Sequence, residues 1–100
     1  MSDIHIPSDL LPQLADLARS VGAVRLVLFG SRARGDHKPT SDIDLAVFGL
    51  DPVKAGRLQL ALEDLPTLLS FDLVCVGDDT SPTLLKNINC EGVTLYASEM

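Results

Sequence analysis

The stretch FGSRARGDHKPTSDIDLAVF, residues 29–48, contains the most specific pattern in the chain. Ten residues separate the pair Gly30 and Ser31 from Asp42, and Asp44 follows two positions later. An apolar segment, residues 24–29, leads into the pattern, and a second one begins after Asp44. Short apolar runs of this kind are typical of buried strands. The stretch therefore predicts a strand, a tight turn with a helix start, a loop, and a strand that opens with two aspartates.

Composition limits the possible classes of protein. With 100 residues, the chain is expected to form one domain, residues 1–100. Hydrophobic residues make up 46% and aromatic residues only 4%, so we expect an aliphatic core. Eight basic and 14 acidic residues give a formal charge of −6. Such a chain gains no affinity for duplex nucleic acid from released counterions, so direct duplex binding is not expected.

The remaining composition favours a cytoplasmic protein. Cys75 and Cys90 form no CxxC pair, and we interpret both as reduced thiols rather than as a disulfide. No apolar run approaches the roughly 20 residues that a membrane span needs. The first residues lack the basic and apolar regions of a signal peptide. We therefore expect no membrane association.

Helix and strand signals alternate along the chain. Leucines at helical spacing predict a first helix, with Ser8 as its N-cap and Gly22 at its end. Asp51 and Ser81 each precede a proline, which is typical of helix starts. Strands are predicted at residues 24–29, 42–48, 71–76 and 93–96. The order favours an α/β or α+β domain with one layer of helices on a small sheet.

Three aspartates are candidate metal ligands. Because side chains alternate along a strand, Asp42 and Asp44 face the same side, about 6–7 Å apart. Unpaired carboxylates this close repel each other, and Mg²⁺ prefers carboxylate oxygens together with water and phosphate. Asp72, at the start of the next strand, is the best third candidate. Two metal ions could then clamp the attacking and leaving oxygens of a phosphoryl displacement.

The turn before the aspartates suits a phosphate. Gly30 lets the backbone approach a ligand closely, and the N–H groups that follow, with the Ser31 hydroxyl, could bind an anion. Arg32 and Arg34 could neutralise a nucleoside triphosphate. Singly, a Gly-Ser pair is a turn in most sequences, the arginines could be solvated charges, and Asp72 could be a charge at a strand edge. Their conjunction indicates a site for a nucleotide and its metal ions.

The face that carries the aspartates is also a candidate docking surface. With one layer of helices, we expect that face to be open, so its apolar residues would form an exposed patch. The alternative is that the first helix covers part of it. The residues concerned are Ala46, Phe48, Val74 and Val76.

With these residues the chain resembles the nucleotidyltransferase superfamily of DNA polymerase β, and within it the minimal nucleotidyltransferase (MNT) domain proteins. The resemblance implies a small mixed sheet of about four strands with helices mainly on one face. It implies that Asp42, Asp44 and Asp72 bind two Mg²⁺ ions and that Gly30 and Ser31 bind ATP phosphate. It further implies an antitoxin, paired in a hetero-oligomer with a HEPN-domain ribonuclease toxin, that transfers AMP from ATP to a tyrosine of the toxin.

Two alternatives remain open from the sequence. The chain could be an antitoxin that masks the toxin by contact without catalysis. It could also be the nucleotide-binding subunit of a small-molecule nucleotidyltransferase whose partner holds the acceptor. The three retained carboxylates favour an enzyme.

Overall fold

The computed structural model describes residues 6–36, 38 and 42–98. Within them, helices and strands alternate as the sequence predicts, and the α/β fold class is confirmed. The elements, in chain order, are α1 (Leu11–Ser20), β1 (Arg25–Phe29), α2 (Ser31–Arg34), β2 (Ile43–Phe48), α3 (Pro52–Glu63), β3 (Phe71–Cys75), α4 (Pro82–Glu91) and β4 (Val93–Ala97).

The four strands form one mixed sheet in the order β3-β2-β1-β4. β1 pairs antiparallel with β2 and with β4, whereas β2 pairs parallel with β3. β1 and β2 are therefore the central strands, which agrees with their apolar sequences. The two central strands are also the ones that flank the Gly30 turn and the aspartates.

Local capping chemistry explains where the later helices begin. The Asp51 carboxylate accepts a hydrogen bond from the Lys54 N–H at 2.8 Å, and the Ser81 hydroxyl accepts one from the Leu84 N–H at 3.1 Å. The prediction for Ser8 is wrong. The N-cap of α1 is Leu10, which has no side-chain capping bond. The helix begins late because Pro12 lies in its first turn. Gly22 follows the end of α1 with φ of +82°, as predicted.

The main core lies between one face of the sheet and the helices α1 and α3. Alternate residues of the central strands point into it, and α1 and α3 contact each other across it. Nearly all of its large side chains are completely shielded from solvent; they include Leu14, Leu26, Leu28, Ile43, Leu45, Leu58 and Leu62. This aliphatic core agrees with the composition.

The opposite face, which carries the aspartates, is covered by α4. Ile88 of α4 forms a second buried cluster with Val27 and Ala46, and Phe48 and Val76 pack against it. The expected exposed patch is therefore wrong. Ala46 is fully buried and Phe48, Val74 and Val76 are half-buried. α4, rather than the first helix, packs on Ala46, Phe48 and Val76. In addition, the Arg25 guanidinium lies 4.3 Å from the centre of the Phe48 ring.

Two further expectations concern cysteines and membranes. Cys75 and Cys90 are both free thiols, as predicted. Among the residues that the structure describes, no helix is long and apolar enough to cross a membrane.

The second cluster gives a stability prediction. Replacing Ile88 by Ala should lower the free energy of unfolding by about 2–5 kcal/mol, because it removes buried methyl groups and leaves a cavity under α4. Val53→Ala is the matched control: Val53 is 67% exposed and its truncation should change stability by less than about 0.5 kcal/mol. Denaturant unfolding measures both. Equal, small effects would show that α4 does not seal this face.

Candidate functional site

Asp44 and Asp72 lie side by side on neighbouring strands. They are direct partners in the parallel register of β2 and β3, so their side chains project from the same face of the sheet. Asp42 is exposed and lies one residue before β2 begins. Asp44 is half-buried, and Asp72 is exposed on the edge strand. The structure thus brings Asp44 and Asp72 together, and Asp42 lies just before the start of β2, the strand of Asp44.

The turn at Gly30 passes directly over Asp44. In the register of the central strands, Phe29 is the partner of Asp44, so the chain leaves β1 next to that carboxylate. Gly30 is buried with φ of +79° and ψ of −157°, a conformation that favours glycine. A Cβ at this position would overlap the Asp44 carboxylate and lie only 3.1 Å from its Cγ. The glycine is needed both for its backbone angles and for the space that Asp44 occupies.

The short helix α2 starts at Ser31, immediately after this turn. The Gly30 carbonyl accepts hydrogen bonds from the Ala33 and Arg34 N–H groups at 3.0 Å each. The first N–H groups of a helix have no carbonyl partner within the helix, which is why a helix start can bind an anion. Ser31, which is half-buried, therefore begins a helix directly after Gly30, the residue that packs on Asp44.

The two arginines differ in their surroundings. Arg32 is buried, with only 5% of its surface exposed. Arg34 is exposed and bonded to two carboxylates, with Nε donating to Asp36 at 3.2 Å and Nη1 donating to Glu91 at 3.1 Å. These hydrogen bonds, first that to Asp36 and then that to Glu91, raise the pKa of Arg34. Arg34 is thus an exposed cation that two carboxylates hold near the site.

The pKa of Asp44 is raised from its usual range. Partial burial is the largest cause, followed by the negative charges of Asp72 and Asp42. Arg34 acts in the opposite direction, and Glu91 adds a smaller repulsion. Desolvation and like charges both penalise the ionised form of Asp44. The contribution of Asp72 and Asp42 shows that these carboxylates are close enough to repel that of Asp44.

The three candidate aspartates provide the kind of ligand atoms that a divalent cation prefers. Among the described residues, no three His, Cys, Asp or Glu side chains are already arranged around a metal position. The donors are nevertheless hard oxygens whose mutual repulsion, seen in the raised pKa of Asp44, a cation would relieve. The predicted ligands are Asp42, Asp44 and Asp72, of which the structure pairs Asp44 with Asp72.

Glu91 is a member of this site that sequence reasoning missed. It is the last residue of α4, and its Oε1 accepts a hydrogen bond from the Gly30 N–H at 3.2 Å, 61 positions away in the chain. The same carboxylate accepts the hydrogen bond from Arg34. A charged residue at the end of a helix is ordinary, so no local signal distinguishes it from other surface acids.

Comparison with known proteins gives a family match over most of the chain. Residues 13–100 match the family described as "Polymerase beta, Nucleotidyltransferase". No curated protein matches the chain. A solved structure described as a minimal nucleotidyltransferase is 32% identical, covers 85% of this chain and 88% of its own, and superposes with a TM-score of 0.69.

Toxin–antitoxin structures share the same fold. One, described as a toxin–antitoxin with AMP-PNP, is 26% identical over 89% of this chain and 74% of its own, with a TM-score of 0.73. Another contains a tri-AMPylated HEPN toxin from Shewanella oneidensis in complex with an MNT antitoxin. It is 23% identical over 89% of this chain and 71% of the matched chain, with a TM-score of 0.64. At that identity the likeness shows the fold alone.

The close approach at Gly30 can be tested against a second glycine. Gly22 has a similar φ of +82°, but a Cβ there would meet nothing within 4 Å. Gly22→Ala should therefore lower the free energy of unfolding only by the strain of a non-glycine residue at positive φ, about 1–2 kcal/mol. Gly30→Ala should lose clearly more stability, because the methyl group must also displace Asp44. Denaturant unfolding compares the two; equal losses would contradict the packing of Gly30 on Asp44.

The raised pKa of Asp44 predicts how stability depends on pH. A carboxyl whose pKa is higher in the folded state than in the unfolded state opposes folding once it ionises, so this penalty is absent below the ordinary pKa and fully present above the raised one. In EDTA at neutral pH, Asp44→Asn should therefore have a higher thermal midpoint than the wild type.

That gain should shrink as the pH falls through the raised pKa towards the ordinary one. Asp78→Asn, at an exposed position in the loop after β3, is the control and should show no such trend. A gain for Asp44→Asn that stays constant down to low pH would show that burial and like charges do not disfavour the Asp44 carboxylate.

Proposed function

Because the chain belongs to the polymerase β nucleotidyltransferase family, we propose that it transfers AMP from ATP to a HEPN-type ribonuclease toxin, and that it acts as the antitoxin of that toxin in a hetero-oligomer. The acceptor is a hydroxyl group, that of a tyrosine. The observation that carries the proposal is the juxtaposition of the Asp44–Asp72 pair with the Gly30 turn at the start of α2.

The nucleotide fits between these two parts. Ser31 and the first N–H groups of α2 are assigned to the triphosphate, next to the carboxylates that would hold Mg²⁺. Of the two arginines Arg34 is the exposed one, so we assign it to the charge on the departing pyrophosphate. When bound, Mg²⁺ offsets the charge of the carboxylates and of the phosphates and so lets them approach each other.

The reaction is a displacement at the α-phosphorus of ATP. The acceptor oxygen forms a bond to this phosphorus while the bond to the pyrophosphate oxygen breaks, and pyrophosphate leaves. The proton of the acceptor hydroxyl must go to a base within reach. Asp72 is assigned this role because it is exposed beside Asp44 and can meet a group that a partner brings.

Related structures support the nucleotide and the partner. The toxin–antitoxin structure that is 26% identical contains a protein of this fold together with AMP-PNP, an ATP analogue. In the other complex, an MNT antitoxin of the same fold accompanies a tri-AMPylated HEPN toxin, and AMP on such a toxin is the product proposed here.

Labelled transfer tests the proposal. With ATP labelled at the α-phosphate, Mg²⁺ and the HEPN partner, the wild type should label the partner, and the label should map to a tyrosine. Asp42→Asn and Asp44→Asn should each reduce the rate about 100-fold or more, the size of effect found when a preorganised electrostatic contact in an active site is removed. Asp78→Asn should retain the wild-type rate.

Toxin inhibition separates catalysis from masking. If Asp44→Asn still binds the toxin and neutralises it fully without transfer, the chain is an antitoxin by contact alone. If the wild-type protein is folded and bound to the toxin but does not label it, the proposal of AMP transfer to the toxin is wrong.

A further inference from the structure

The Glu91 carboxylate holds two parts of the candidate nucleotide site at once. Its Oε1 accepts from the Gly30 N–H at 3.2 Å and from Arg34 Nη1 at 3.1 Å, and its Oε2 lies 3.3 Å from the same Nη1. With 23% of its side chain exposed, Glu91 is more shielded than Arg34, at 47%. The pair is therefore better protected from solvent than an ordinary surface ion pair, and it also includes a backbone donor.

The position of Glu91 is fixed by the packing of α4. Ile88, one turn earlier, is buried against β1 and β2. Gly92, the next residue, ends the helix so close to β1 that an added Cβ would collide with the Ile88 carbonyl and with Val27. The chain thus has little freedom on either side of Glu91, and the carboxylate is presented to the Gly30 turn by a rigid element.

Gly30 is consequently held from two sides. Asp44 occupies the space where a Cβ would lie, and Glu91 accepts the N–H of the same residue. The next residue is Ser31, the first of α2, so a shift of Gly30 would move both the hydroxyl and the helix start. Arg34, at the end of the same short helix, is held by the same carboxylate and by Asp36.

We propose that Glu91 is a positioning residue for the nucleotide site, which acts through the Gly30 N–H and Arg34 and does not touch the nucleotide. This inference rests on the proposed function, since it concerns ATP binding at that site. The opposite role is that the Glu91 carboxylate competes with phosphate for the same donors. The two roles predict opposite signs: removal of a positioning residue weakens nucleotide binding, whereas removal of a competitor strengthens it.

Calorimetry with α,β-methylene-ATP and Mg²⁺ measures this directly, since the analogue cannot be cleaved at the α–β bond. Glu91→Ala should raise the Kd about 10-fold, the lower end of the effects seen when a supporting residue of a site is lost. Glu91→Gln keeps an oxygen that can accept from Gly30 but loses the charge that holds Arg34, so its Kd should lie between those of the wild type and Glu91→Ala.

Glu63 provides the matched control. It is also the last residue of a helix, α3, and its carboxylate accepts from Gln59 at 3.0 Å. Glu63→Ala removes the same charge and side chain at an exposed position of α3, which packs on the face of the sheet opposite the aspartates, and its Kd should equal that of the wild type. A similar rise for Glu63→Ala would show that the effect of Glu91 is not specific to the site, since loss of a negative charge by itself favours binding of an anion.

Coupling to Arg34 shows whether Glu91 acts through it. In an Arg34→Ala background, Glu91→Gln should no longer change the Kd, because the lost ion pair is already absent. This cycle remains decisive if Glu91→Ala does not fold. Equal or tighter binding by Glu91→Gln in the wild-type background would overturn the inference. Absence of analogue binding by the wild type itself would instead overturn the proposed function.

Discussion

The register between β1 and β2 is the constraint on which the rest of the structure depends. It pairs Phe29 with Asp44 and Leu28 with Leu45, so one face receives the carboxylate and the other receives the core leucines. A shift by one residue would send Asp44 into the α1–α3 core and Leu45 to the opposite face. The fully buried Leu45 makes that shift unfavourable, so the hydrophobic core itself fixes where the aspartates lie.

The same register places a charge on a central strand, where it opposes folding. Asp44 is partly buried between two neighbouring strands, and its raised pKa is the sign of that opposition. Two residues further along the strand, Ala46 is fully buried under α4. The polar site therefore lies at the end of β2 where the chain enters the strand, and apolar packing under α4 begins at Ala46. A local loss of stability is typical of residues kept for chemistry rather than for packing.

Features set by nearby residues could be predicted from the sequence, whereas features set by distant contacts could not. Asp51 and Ser81 cap helices through N–H groups three residues away, so their roles are visible in the sequence. The turn at Gly30 and the face on which Asp44 lies were also predicted, because glycine in a turn and alternation along a strand are local signals. The roles of these residues in catalysis remain predictions.

The failures have a common physical origin. Nothing in the sequence of α4 specifies which face of the sheet it covers, because an amphipathic helix can pack on either. The expected open patch followed from placing all helices in one layer, and Ile88 shows that α4 lies on the aspartate side. Glu91 was missed for the same reason, since its bond to Gly30 exists only once α4 has been placed.

The charges around the site are unbalanced without a bound cation. Arg34 is already engaged by Asp36 and Glu91, and Asp44 experiences the repulsion of Asp42, Asp72 and Glu91. The repulsion from Asp72 and that from Asp42 each outweigh the attraction of Arg34 for the ionised Asp44 carboxylate. A triphosphate adds further negative charge, so it would be repelled if it arrived alone. In the proposed function, cations that enter with the phosphates would relieve this repulsion, and Glu91 keeps the positive charge of Arg34 beside the Gly30 turn.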